Sequence, residues 1–257
     1  MPLDYPLSIQ LYSARKFSPV EDRLAALARL GYTNVETFGP FHDDAAATRR
    51  LLEAHGLVAR SGHFDLDMAE NHRDRTIDAA GQLGLENIVV PYLSPEQRPA
   101  DRAGWMALGA QLAEMSDWYG ARGQRLAWHN HDFEFAALPD GSLPIEHILG
   151  ARLLWEADIA WIARGNADPE YWVERYRGRI PLVHVKDIAP EGQKADEDGW
   201  ADIGAGVLPW RKLWAQCVLA GVQIMIAEHD DPTDFDRFAR VSARAMRAYA
   251  SGGEPWR

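Results

Sequence analysis

The chain has 257 residues, 47% of them hydrophobic and 25% charged, enough to bury a substantial core. Its 38 acidic residues against 27 basic ones give a formal net charge of −11, a surface that repels phosphate backbones and argues against DNA or RNA as the partner. Cys217 is the single cysteine, so no intrachain disulfide is available, and its apolar helical setting "LWAQCVLAG" makes it a core residue.

The opening "MPLDYPLSIQLYS" has no basic stretch leading into a long apolar one, so no secretory signal is expected. No apolar run approaches the roughly 18 residues a membrane span needs. A soluble cytoplasmic protein is the expectation. Short β-rich runs then alternate with longer amphipathic ones. The first strand is expected in "LSIQLYS" (7–13), followed by a helix opened by "SPVE", with Ser18 as N-cap, Pro19 at the first helical position and Glu21 closing a capping box. Val20, Leu24, Leu27 and Ala28 keep helical spacing along it. "TNVETFG" (33–39) reads as the second strand, and further strands are expected at 57–63, 87–93, 125–131, 152–158, 180–187 and 222–230. Gly31, Gly56, Gly84, Gly123 and Gly221 each fall near a helix end just before a new strand, where a left-handed residue commonly terminates a helix. The longest predicted helices cover 101–121 and 232–250, whereas 144–150 and 167–178 supply only short ones. Eight strands, each followed by a helix, with no glycine-rich phosphate loop after the first strand, fit a (β/α)8 TIM barrel formed as a single domain over 1–257.

In such a barrel the chemistry sits at the C-terminal strand ends, and residues two apart on a strand share a face. The stretch "LAWHNHDFEF" (126–135) ends the fifth predicted strand with His129 and His131 in phase. The sixth ends with Glu156 and Asp158, the seventh with His184 and Lys186, and the eighth with Glu228 and Asp230. Taken singly, each has a structural explanation: a hydrogen-bonded histidine, or an Asp capping the next helix. Together they place buried like charges side by side, a conflict that a divalent cation relieves. Mixed nitrogen and oxygen donors suit Mn²⁺, Zn²⁺, Co²⁺ or Fe²⁺ better than Ca²⁺.

With "GYTNVETFG", "WHNHDFEF", "WEADIAWIARGNADP", "IPLVHVKD", "ADIGAGVLPW" and "IMIAEHD" in order along nearly the whole chain, the sequence resembles the sugar phosphate isomerase/epimerase family of xylose-isomerase-like TIM barrels. That group also contains ketose 3-epimerases, hydroxypyruvate isomerase, inosose dehydratase and AP endonucleases of the endonuclease IV type. The resemblance implies one divalent metal, Mn²⁺ ahead of Zn²⁺, Co²⁺, Fe²⁺ or Mg²⁺, held by Asp158, His184, Glu228 and, on the fifth strand, His129. Many relatives carry Glu at this last position, so His131 and Glu134 stand as alternative ligands. Relatives often have His three residues after the strand-six Asp, where this chain has Trp161. The missing second glutamate sets the chain apart from the 3-epimerases, and the acidic charge with a one-metal donor set sets it apart from the endonucleases.

The expected reaction is proton abstraction next to the carbonyl of a sugar or keto-sugar, with the metal stabilising an enediolate. Glu228, Glu134 and His131 are the candidate bases, and Lys186, His63, Trp161, Gln10 and Asp230 the candidate substrate-binding residues. Lys186 also reads as an ion-pair partner of Glu156 or Asp230; Glu36 faces the same end; Trp128 and Trp161 offer faces for a sugar's C–H groups. Returning the proton gives isomerisation or epimerisation. Losing a β-oxygen gives a dehydratase or lyase acting on a keto-sugar or inosose, and a non-catalytic sugar-binding module is the reading from a different class. The polar segment 187–208, with Gly204 and Gly206, is expected to be a lid. The resemblance further implies a homo-oligomer.

Overall fold

The computed structural model describes residues 5–255. Eight parallel strands close into a barrel: β1 (Ser8–Gln10), β2 (Asn34–Phe38), β3 (Val58–His63), β4 (Asn87–Val90), β5 (Arg125–His129), β6 (Leu154–Asp158), β7 (Leu182–Val185) and β8 (Ile224–Ala227). Each lies within the span expected from the sequence, and β1 closes the ring by pairing with both β2 and β8. The architecture is a (β/α)8 barrel.

The helices surround it in chain order: α1 (Val20–Arg29), α2 (Ala45–Ala54), α3 (Leu66–Asn71), α4 (Arg73–Leu83), α5 (Arg102–Gly120), α6 (Pro144–Leu149), α7 (Ile159–Arg164), α8 (Pro169–Arg175), α9 (Trp210–Ala220) and α10 (Phe235–Ala250). Aspartates supply many of the caps: Asp44, Asp65, Asp101, Asp158, Asp168 and Asp234 each accept a backbone N–H in the first turn of the helix that follows. Part of the acidic surplus therefore sits at helix N-termini, where the helix dipole favours it.

The expected capping box at α1 is not formed. Pro19 is extended (φ −74°, ψ 155°) and occupies the N-cap position without a side-chain bond, so Ser18 lies one residue too early for its hydroxyl to reach the first-turn amides. The five helix-ending glycines do adopt positive φ, between 69° and 87°.

Two apolar layers follow from strand alternation. Outward-facing residues such as Val35, Ile88, Trp128, Trp155, Val183 and Met225 pack under the helices. Inward-facing Val89, Ala127, Leu182, Ile224 and Ile226, with Leu154 against them, fill the barrel itself. Four of the five strands that carry this plug continue, two residues on, to a polar inward residue: Ala127 to His129, Leu154 to Glu156, Leu182 to His184, Ile226 to Glu228. The plug thus floors the site and shields it from water on that side. Among the described residues no helix is long and apolar enough to cross a membrane.

Candidate functional site

Parallel pairing fixes the lateral order of the inward residues: His129 is level with Glu156, Asp158 with His184, and His184 with Ile226. One donor atom each from His129, Asp158, His184 and Glu228 lies within 4.8 Å of the others. His184 Nδ1 is 3.0 Å from Glu228 Oε2 and 3.2 Å from His129 Nε2. Asp158 Oδ2 is 3.6 Å from His129 Nε2 and 3.8 Å from His184 Nδ1. All four side chains are buried. Of the three strand-five alternatives, His129 is the one whose nitrogen joins this group.

Asp158 serves both readings open to a strand-end Asp. Its Oδ1 accepts the backbone N–H of Trp161 at 2.9 Å and caps α7, while its Oδ2 is buried with no hydrogen-bond partner. An orphaned buried carboxylate oxygen is costly unless a cation meets it. Asn130, between the two histidines, clasps this corner from outside: its Oδ1 accepts from Trp155 Nε1 and the Asp158 backbone N–H, both at 2.9 Å, and its Nδ2 donates to the Asp158 carbonyl.

Lys186 is fully buried and sits among carboxylates, bonded to Asp230 and 3.1 Å from Glu228 Oε2 and 3.6 Å from Asp158 Oδ2. Its ammonium lies over the Trp200 ring, 4.1 Å from the centroid. It is an internal counter-ion, paired with Asp230 rather than Glu156, and it does not line the cavity. A second set of contacts lies across the barrel. His63 Nε2 is 2.7 Å from Glu156 Oε2 and 3.1 Å from Glu36 Oε1, and His184 Nε2 is 2.7 Å from the same Glu36 oxygen. Gln10 donates to Glu36 Oε1 at 2.7 Å and is fully buried, so it braces Glu36 instead of reaching substrate.

The charge states follow. Burial opposes charge at every one of these groups, and the partners decide the outcome. At Glu228 burial is outweighed by Lys186 and His184, which hold the carboxyl well below its usual range. At Glu36 His63 and His184 do the same. Burial and the neighbouring Glu36 push Glu156 up to about 7. His63, despite its burial, is raised to about 10 by Glu36 and Glu156, and His184 is raised by Glu228, Glu156 and Glu36. Burial holds His129 and His131 in the neutral form. Five carboxyl groups (Glu36, Glu156, Asp158, Glu228, Asp230) face Lys186, His63 and His184, the three groups whose positive charge their surroundings favour.

Above the group opens a cavity of about 910 Å³ at the C-terminal strand ends, lined in part by His63, His129, His131, Trp161, Glu228 and Asp230. Tyr12, Phe38, Phe64 and Tyr92 add aromatic walls. A second hollow of about 830 Å³, between Tyr5, Arg60, Trp214 and Arg247, adjoins neither of the two His–carboxylate groups found among the described residues. His131 presents a buried, unpartnered Nδ1 and packs beside Trp161, ring centroids 5.1 Å apart.

Two sequence expectations are corrected here. Glu134 does not reach the cavity: its carboxylate accepts from Trp128 Nε1 at 3.1 Å and from the His131 backbone N–H at 2.8 Å, on the outer side of β5. Burial raises it to about 8. Trp128 is fully buried on that same outer side and offers no face to a ligand. Both belong to the clasp that shapes the β5 loop.

The segment after β7 is an ordered clasp and not a loose flap. Asp187–Ile188 pairs antiparallel with Trp200–Ala201. The buried Asp187 carboxylate accepts the N–H groups of Ile188, Gly204, Gly206 and Leu208 at 2.9–3.2 Å. Glu197, also buried, accepts from Thr233 and Arg237 and pins the segment to the start of α10. Neither acid was singled out from the sequence, although the two glycines that Asp187 binds were.

A family model described as a xylose isomerase-like TIM barrel matches residues 24–248. The chain belongs to that family. A curated relative, the rhizopine catabolism protein MocC of Rhizobium meliloti, is 25% identical over 200 residues, 71% of this chain; the match spans only 62% of that protein's length. A sugar phosphate isomerase/epimerase from Parabacteroides distasonis superposes with a TM-score of 0.79 at 20% identity, over 96% of this chain and 94% of the other. A xylose isomerase-like TIM-barrel protein from Mycobacterium smegmatis, solved in complex with magnesium, gives 0.72 at 15% identity over 98% of both chains. At such identities the structural matches establish the shared fold.

Proposed function

We propose that this member of the xylose isomerase-like family is a divalent-metal-dependent isomerase or epimerase acting on a sugar or keto-sugar. The observation that carries the reading is the His129–Asp158–His184–Glu228 group on the floor of the cavity, with Asp158 Oδ2 unpartnered and turned toward it. Donor pairs 3.0–3.8 Å apart are close to the roughly 3.0–3.4 Å edges of a site whose bonds are about 2.1 Å long. The residues therefore fit a divalent ion. Bound there, it would supply Lewis acidity to neighbouring carbonyl and hydroxyl oxygens and so acidify the carbon-bound proton between them.

The protein's own groups then divide the work. Glu228, ionised and at the cavity wall, takes the proton from the carbon next to the carbonyl. Delivery by Glu228 to the adjacent carbon gives the isomer; a proton supplied by a second donor to the opposite face gives the epimer. His131, neutral and on the cavity wall, is placed to exchange a proton with a substrate oxygen. Asp230, also on the wall and pushed up to about 6, chiefly by burial, is a substrate-hydroxyl partner, and Trp161 supplies an apolar face. One observation favours a second reading. With Glu134 turned outward and Asp230 bonded to Lys186, Glu228 and His131 remain as a base–acid pair on the wall, which suits β-elimination from a keto-sugar or inosose.

The test is deuterium exchange. Metal-loaded protein is incubated in D₂O with a panel of ketoses, keto-sugars and inososes and followed by NMR. Deuterium entering a carbon next to the carbonyl, with a new isomer or epimer, supports the first reading. An unsaturated product supports the second. Glu228→Gln should slow either by about 10²–10⁴-fold. Tight sugar binding with no exchange anywhere in the panel would leave a binding module and end the enzymatic reading.

A further inference from the structure

His184 faces two groups, one through each ring nitrogen. Nδ1 looks to His129, Asp158 and Glu228, and Nε2 looks to Glu36 and Glu156, with His63 completing the second set. One donor atom each from Glu36, His63, Glu156 and His184 also lies within 4.8 Å of the others. Four of the six edges they define measure 2.7, 2.7, 3.1 and 3.4 Å. A tetrahedral site with bonds of about 2.0–2.1 Å has edges of roughly 3.3 Å, so an ion asks for only a few tenths of an ångström of expansion.

Three further features distinguish this set from an ordinary hydrogen-bond network. Glu36 and Glu156 are both fully buried and within reach of the same two nitrogens, which puts like charges together in a low-dielectric interior. Each keeps its other oxygen, Glu36 Oε2 and Glu156 Oε1, buried without a hydrogen-bond partner. Gln10 holds Glu36 from behind by donating to its Oε1, the kind of outer support that metal-binding carboxylates usually have. Four strands supply the donors (β2, β3, β6 and β7); the two carboxylates of this deeper set are fully buried, while His63 also reaches the cavity wall.

We propose that Glu36, His63, Glu156 and His184 form a second divalent-cation site, of the kind that takes Zn²⁺ or Co²⁺ in a two-nitrogen, two-oxygen environment, and that His184 is shared between it and the site at the cavity floor. Filling both places a cation on each nitrogen of one imidazole. The deeper ion enters with release of the second ring proton of His184 and of the imidazolium proton of His63. Two divalent ions and Lys186 then balance five carboxylates and one imidazolate to within a single charge. The deeper site does not depend on the cavity-floor site being catalytic.

The experiment is metal stoichiometry on the full chain after loading with Zn²⁺ or Co²⁺ and exhaustive dialysis. Elemental analysis is run beside His63→Gln, Glu156→Gln and Glu228→Gln, with far-UV circular dichroism checking each fold. Two equivalents in the wild type, falling to one in His63→Gln and in Glu156→Gln, is the expected result. One equivalent that survives Glu228→Gln but is lost in His63→Gln also supports the deeper site while removing the cavity-floor one. One equivalent lost in Glu228→Gln and kept in both deeper variants overturns the proposal and makes the set a frame that orients His184. No retained metal in the wild type overturns both sites.

Discussion

Replacing Asp158 separates the two duties that one carboxylate carries. Oδ1 caps α7 through the Trp161 N–H, and an Asp-to-Ala change at such a cap costs about 1 kcal/mol, whereas Asn caps about as well as Asp. In a chain of this size about 1 kcal/mol lowers Tm by roughly 2–4 °C. Oδ2 is buried, unpartnered and 3.6 Å from Lys186, which retains Glu228 and Asp230 when it is removed. In EDTA, Asp158→Asn should therefore melt close to wild type, because the cap stays and Lys186 keeps its two nearer carboxylates. Asp158→Ala should melt about 2–4 °C below Asp158→Asn. Added metal separates wild type from both variants. At 100 times its dissociation constant a ligand bound only to the folded state adds about 2.7 kcal/mol, so Mn²⁺ should raise the wild-type Tm by roughly 5–10 °C. Both variants, one donor short, should bind more than about 100-fold more weakly and show almost none of that rise, since even outer supporting residues cost about 10–100-fold. Calorimetry with and without Mn²⁺ reads all of these. An Asp158→Asn protein that keeps the full metal-induced rise would refute the assignment of Oδ2 as a donor.

Stability of the metal-free protein should fall with rising pH. His63 is raised to about 10, so its contribution is complete below about pH 6.5 and is lost as the pH climbs through 10, at up to about 1.4 kcal/mol per pH unit. Glu156, raised to about 7, adds a loss of the same sign between about pH 4.5 and 7. Urea midpoints in EDTA from pH 6 to 9.5 measure the slope; His63→Gln should flatten its upper part, and a level wild-type profile would contradict the buried ion pairs. Glu134→Gln should leave deuterium exchange within a few-fold of wild type at pH 7, where Glu228→Gln all but abolishes it, because the Glu134 carboxylate faces Trp128 and not the cavity. A loss equal to that of Glu228→Gln would return Glu134 to the list of bases. Gly206→Ala would bring a Cβ within 2.2 Å of Asp187 Oδ1 and 2.4 Å of the Ile188 carbonyl oxygen, opening the clasp after β7 at a cost of about 1–3 kcal/mol, readable by urea denaturation.

The barrel was legible because its signals are local and repeat: a strand-length apolar run, an amphipathic helix, a glycine turning the chain back. The floor of the cavity was legible for a related reason. On a strand, period two decides which side chains share a face, so the ends His129/His131, Glu156/Asp158, His184/Lys186 and Glu228/Asp230 can be placed on one face without knowing any distance, while the narrower set of His129, Asp158, His184 and Glu228 is what the family resemblance implies. The same rule explains where the reading stopped. Glu134 lies past the end of β5, in the short 3-10 turn Phe133–Phe135, where alternation no longer governs direction. The clue to its true partner was Trp128, out of phase with His129 and therefore carrying an indole N–H into the outer core, where a buried donor needs an acceptor. The deeper set needed closure itself. Glu36 and His63 come from β2 and β3, Glu156 and His184 from β6 and β7, and nothing in sequence order indicates that these two halves meet across the barrel. A strand pattern predicts which residues face inward; which of them touch depends on barrel stagger, here shifted by the bulge between Val35 and Glu36 that sets Glu36 level with Ser61. Glu36 thereby stands level with Ser61 on one side and, across the barrel, 2.7 Å from Nε2 of the histidine at the centre of the site.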